Sequence, residues 1–173
     1  MKIRPVIANQ SDASKSARES NRIQKKVWIR ASAEVVFGAL TDPKELAHWF
    51  CDRATGNPCE GGELVAYWKA GKFVQKGRAV FTKVVPNSSL ELFWIDDGCG
   101  TDDSSSKHTL SYSIRSKAGM TEVVMVDKDD SSSDGEIYAL LDEGWNTVLL
   151  ELKDYCERRE RSHKIRSASK PRS

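Results

Sequence analysis

Residues 135–157, GEIYALLDEGWNTVLLELKDYCE, constrain the fold more than any other stretch of the chain. Ile137, Leu141, Trp145, Val148, Leu149, Leu152 and Cys156 recur at intervals of three and four, one apolar stripe at helical period. Asp142, Glu143, Asn146, Lys153 and Asp154 fall on the opposite side, and only Leu150 breaks the pattern. Such a helix cannot bury its stripe alone and needs a sheet or other helices beneath it. The residues before it read mostly as strands, so the helix is expected to lie across a sheet.

Taken in order, residues 1–22 are polar and aperiodic and read as a disordered leader. Residues 23–30 alternate, with Ile23, Lys25, Val27 and Ile29 on one side of a first strand. Ser32 is a cap for a short helix, Ala33 to Leu40. Asp42-Pro43-Lys44-Glu45 starts a second helix carrying Leu46, Trp49 and Phe50. Cys51 to Gly62 reads as a loop. Five strands follow, at 63–68, 73–85, 90–95, 108–115 and 120–127, and Gly77 marks a bulge or bend in the second of these. Acidic loops at 96–107 and 129–134 separate the later elements. The expected class is α+β: an antiparallel six-stranded sheet against one long C-terminal helix, with two short helices after the first strand.

The net charge of +2 conceals an uneven distribution. Residues 1–22 carry +3 and residues 158–173 carry +6, while residues 23–157 hold 15 basic and 22 acidic side chains, a net of −7. The basic tail, 158–173, is expected to be solvated and disordered. It lacks the aromatic interleaving that single-stranded nucleic acid would use, so nucleic acid is not expected as a partner. No apolar run could span a bilayer, and no membrane partner is expected. Cys51, Cys59, Cys99 and Cys156 show no framework spacing and suggest free thiols in a cytoplasmic protein.

Several segments, in order, resemble one family: VWIRASAEVVFGALTDPKELAHWF at 27–50, Gly61-Gly62, GRAVFTKVVPNSSLELFW at 77–94, and Gly144-Trp145 with Leu149 and Leu152. Together they resemble the activator-of-heat-shock-ATPase branch of the START-like (SRPBCC), or helix-grip, superfamily. The resemblance covers residues 23–157. It implies a curved sheet gripping a long C-terminal helix, with a cavity between them. Its members include ligand binders, co-chaperone domains and a few enzymes, and it implies no catalytic signature.

The aromatic residues carry the functional expectation. Alternation sends Trp68, Trp94 and Tyr112 to one inner face, with His108 at the head of the Tyr112 row, and Trp145 and Leu149 lie on the helix stripe. These six, with Trp49 near the mouth, are the expected lining of a site for a small hydrophobic or amphipathic molecule. His108 would supply its polar contact. A co-chaperone-like interaction domain is the alternative, and an enzyme acting on a small hydrophobic substrate is the second alternative. No catalytic residues, metal ligands or cofactor are expected. The histidines have no ligand spacing, and Asp127-Lys128-Asp129-Asp130-Ser131 fails as a calcium loop at its sixth and twelfth positions, Ser132 and Tyr138.

Overall fold

The computed structural model describes residues 21–95, 107–129 and 135–168. Residues 96–106 and 130–134 of the acidic loops, with Cys99, residues 1–20 of the leader, the Ile137 side chain and the chain beyond Ala168 lie outside the described residues. The elements are β1 (Asn21–Ile29), α1 (Ala33–Thr41), α2 (Pro43–Trp49), β2 (Arg53–Gly56), β3 (Glu63–Ala70), β4 (Phe73–Val85), β5 (Ser89–Ile95), β6 (Lys107–Lys117), β7 (Met120–Asp129) and α3 (Gly135–Ala168).

All pairings are antiparallel in one seven-stranded sheet, ordered β1-β7-β6-β5-β4-β3-β2. The first strand therefore lies beside the last. α1 and α2 carry the chain from one rim of the sheet to the other. The two starts are capped as their sequences require: Ser32 Oγ accepts from Val35 N, and Asp42 Oδ1 accepts from Lys44 N, with Pro43 opening α2.

Inward rows of the strands bury Leu64, Ala66 and Trp68; Ala79 and Phe81; Leu90, Leu92 and Trp94; Leu110, Tyr112 and Ile114; and Val123 and Met125. The α3 stripe packs on this face through Leu141, Trp145, Val148, Leu149, Leu152 and Cys156, all buried, while Leu150 stays exposed. Burying each such side chain contributes about 1.5–3 kcal/mol, which is why the stripe fixes the position of α3. Lys25 lies in the inward row of β1 and meets Asp142 of α3 at 2.6 Å. The architecture is α+β, a helix-grip fold.

Four expectations are corrected. The sheet has seven strands, because β2 occupies part of the expected loop at 51–62 and pairs with β3. β1 begins at Asn21, inside the expected leader. The register shift of β4 falls between Phe81 and Lys83, while a Cβ on Gly77 would meet Trp68 and Trp94 ring carbons at 3.1 Å each. Glycine is there to let two indoles close over the backbone. Finally, α3 continues to Ala168, so 158–168 of the expected disordered tail is helix. Its residues do structural work: Glu160 Oε2 accepts from Ser32 N at 3.2 Å, and Arg159 pairs with Glu45 of α2 at 2.7 Å.

Candidate ligand site

Two features lie side by side on the inner face of the sheet. The first is a polar knot around Asp127. Alternation along β7 puts Asp127 in the inward row with Val123 and Met125, and its side chain is buried. Oδ1 contacts His108 Nδ1 at 2.7 Å, and Oδ2 accepts from Trp145 Nε1 at 2.8 Å. A carboxylate only accepts, so His108 carries its proton on Nδ1. The knot ties β6, β7 and α3 together. Tyr112, fully buried near it, has its phenol pKa pushed up, first by burial and then by the Asp127 charge.

The second feature is a cavity of about 20 Å³, room for one water-sized molecule. Leu40 of α1, Leu46 and Trp49 of α2 and Phe50 form one side; Leu64, Leu92, Trp94, Leu110 and Tyr112 form the sheet side. A file of touching rings runs past it: Trp49–Phe50 at 5.4 Å, Phe50–Trp68 at 5.4 Å edge-on, Trp68–Trp94 at 6.3 Å, and Trp94 stacked on His108 at 6.3 Å. Most of the indoles find acceptors. Trp49 Nε1 donates to Ala39 O and Trp68 Nε1 to Phe50 O, both at 2.9 Å. Trp94 Nε1 is buried and has no partner among the described residues. A buried donor left unmade costs about 1–3 kcal/mol, so this one stands out.

Of the seven residues expected to line a site, the cavity brings together Trp49, Trp94 and Tyr112. Trp68 backs it through contacts with Phe50 and Trp94. His108 and Trp145 belong to the Asp127 knot. Leu149 is buried core. The cavity is walled by α1, α2 and the sheet, and neither Trp145 nor Leu149 of α3 borders it, so its position differs from the expected gap between sheet and C-terminal helix. Sequence reasoning missed Asp127 and Phe50 as participants. The signal for Asp127 was present: a carboxylate in an inward row must have partners.

α2, which roofs the cavity, is held onto α3 by a second polar group. Tyr155 Oη donates to Glu45 Oε2, Arg159 donates to Glu45 Oε1, and His48 stacks on the Tyr155 ring at 6.2 Å. Burial, then the hydrogen bond to Glu45, pushes the Tyr155 pKa up. Neighbouring Cys156 is buried, and its thiol is pushed up to about 12 by burial and then by the Glu45 and Glu157 charges. It is therefore a poor nucleophile. Among the described residues, no group of three or more His, Cys, Asp or Glu side chains could hold a metal ion.

A family model, Activator of Hsp90 ATPase homolog 1-like protein, matches residues 30–157. The chain belongs to this family. Solved structures agree on the fold. The Aha1 dimer from Colwellia psychrerythraea is 20% identical, covering 79% of this chain and 96% of that one, with a TM-score of 0.65. DynU16, a protein in the dynemicin biosynthetic locus, is 21% identical over 81% of this chain and 48% of its own, TM-score 0.68. CalU16 from Micromonospora echinospora is 18% identical over 78% and 75%, TM-score 0.60. No curated protein matches. Within this member of the Hsp90-activator-like family, the matched span takes in the cavity and the Asp127 knot. It stops before Arg159 and Glu160, whose contacts to α2 and to Ser32 extend the helix-grip core. Among the described residues no helix is long and apolar enough to cross a membrane.

Proposed function

We propose that the domain binds one small, mostly apolar molecule carrying a hydrogen-bond acceptor, held between α2 and the sheet with that acceptor on Trp94 Nε1. The role is non-catalytic and cytoplasmic, and it needs no cofactor. The supporting observation is that Trp94, whose indole N–H is buried without a partner among the described residues, is one of the side chains lining a mostly apolar cavity. An acceptor delivered there removes a desolvation penalty at the moment of binding.

Ligand pockets usually span about 300–1,000 Å³, so the site of about 20 Å³ would have to widen to admit such a molecule. Opening it requires the α2 roof, with Trp49 and Phe50, to lift from Leu64, Leu92 and Trp94. α2 is only seven residues long and its hydrogen bonds to α3 run through Glu45, so its lifting is the route of opening that goes with this reading. The His108–Asp127 pair does not border the cavity, which disfavours an enzymatic reading.

Acetophenone, an aryl ketone with one carbonyl acceptor, is a suitable probe. Its titration should change tryptophan emission saturably. Trp94→Phe keeps the ring and deletes the donor; it should weaken binding about tenfold. Equal affinity in wild type and Trp94→Phe, or no saturable response to acetophenone together with an empty protein in native mass spectrometry, sinks the proposal.

A second reading takes its support from the family match: a protein-interaction domain acting on a heat-shock chaperone ATPase. Stimulation of an Hsp90-type ATPase by the purified chain would favour it, and an unchanged rate at low salt would count against it.

A further inference from the structure

The β3–β4 hairpin differs chemically from the rest of the body. Its span, 63–85, contains five Lys or Arg and one acid, Glu63, whereas the remainder of 23–157 contains ten basic and 21 acidic residues. Among the described residues, β2 pairs with β3 as far as Tyr67 and β5 pairs with β4 from Arg78 to Val85, so the hairpin tip lies beyond both of these pairings. Gly71, at φ 63°, makes the turn. At the summit Phe73 is 81% exposed and Val74 55% exposed, the only apolar pair so placed side by side among the described residues. Lys69 and Lys72 flank them and are exposed. Asp52 is nearby, but its carboxylate accepts from the Lys69 backbone N–H, and Glu63 at the foot of the hairpin is paired with Arg78.

We propose that this hairpin tip is a docking surface for an anionic membrane. Phe73 and Val74 enter the headgroup region while Lys69 and Lys72 face the lipid phosphates and carboxylates. An apolar summit with cationic flanks matches both layers of such a surface: the ring sits at the acyl boundary and the ammonium groups snorkel to the charge. A nucleic acid would need aromatic faces lying along a basic groove, and the hairpin offers a narrow tip instead. The expectation of no membrane partner rests on spanning, which takes about 20 apolar residues, whereas surface contact takes a few apolar side chains and lysines. The site is separate from the cavity under α2 and stands or falls independently of ligand binding.

The test uses the full chain, with its basic ends, and sedimentation with vesicles of phosphatidylcholine alone or with added phosphatidylserine. Wild type should sediment with the anionic vesicles only and be released by high salt. Lys69→Gln/Lys72→Gln should weaken binding about 25-fold, fivefold per lysine. Phe73→Ser/Val74→Ser should weaken it at constant charge. All four side chains are exposed, so both variants should keep the wild-type melting temperature. Absence of sedimentation with anionic vesicles at low salt overturns the proposal. So does wild-type binding by both variants, which would assign the interaction to the basic ends, or capture by an acidic protein or nucleic acid in the absence of vesicle binding.

Discussion

Removing the Asp127 carboxylate would strand two donors at once, Trp145 Nε1 and His108 Nδ1. Asp127→Ala should therefore destabilise the fold by about 3 kcal/mol, and Asp127→Asn, which keeps one acceptor, by less. Urea unfolding measures both, and a loss below about 0.5 kcal/mol for Asp127→Ala would show that the knot carries little of the stability. Gly77 is sensitive for a different reason. The rings above it are fixed, Trp68 by its bond to Phe50 O and both by burial, so an added methyl has little room. Gly77→Ala should cost about 1–3 kcal/mol through overpacking and shift the tryptophan emission. The chain shows that an inward Asp127 needs partners but not which ones, and the role of Gly77 cannot be read from it. Gly77 announces only that something unusual happens in a strand, and the two indoles that explain it come from β3 and β5. Asp127 looked like the first ligand of a failed calcium loop because its partners are 18 and 19 positions away.

At the scale of elements, α3 does more than cover the sheet. Glu157 Oε1 accepts from Arg30 N at 3.0 Å and Lys153 lies 3.5 Å from it, and these hold its pKa below the usual glutamate range, the Arg30 bond first. The folded state thus prefers ionised Glu157 more than the unfolded chain does. Its stabilisation is present above the ordinary glutamate pKa of about 4.3 and is lost as pH falls through the lower folded value. The gap in melting temperature between wild type and Glu157→Gln should be open at pH 7 and close in strong acid. A constant gap would contradict the assignment. Glu45→Ala should loosen α2 from α3 and speed amide exchange in α2 well before it affects the sheet, and equal protection in both proteins would argue against α2 as the moving roof. The elements that could be read beforehand were those with strong local period: the α3 stripe, the β5 and β6 alternation and the Asp42-Pro43 start. β2 was missed because four polar or small residues beside Cys, Gly and Pro carry no period and pair only because β3 arrives next to them. The extension of α3 was missed because a run of charge was read as solvation. Residues 158–168 contain no Gly or Pro and several good helix formers, and Glu160 and Arg159 give that turn tertiary partners.

For the whole molecule, Trp49, Trp68, Trp94 and Trp145 belong to one buried cluster spanning α2, the sheet and α3. Unfolding in urea followed by tryptophan emission and by backbone circular dichroism should therefore give coincident midpoints; separate midpoints would mean that one layer opens on its own. The sheet itself is not closed. Among the described strands β1 and β2 form its two ends, and an edge strand offers backbone groups to a further strand. One end is only four residues long. At the other, Lys25 points toward the helix side and is committed to Asp142, while Lys153 donates to the Trp28 carbonyl. A strand that extended the ladder there would have to compete with Lys153 for the Trp28 carbonyl, so the lysines that tie β1 to α3 are also expected to oppose edge-to-edge pairing.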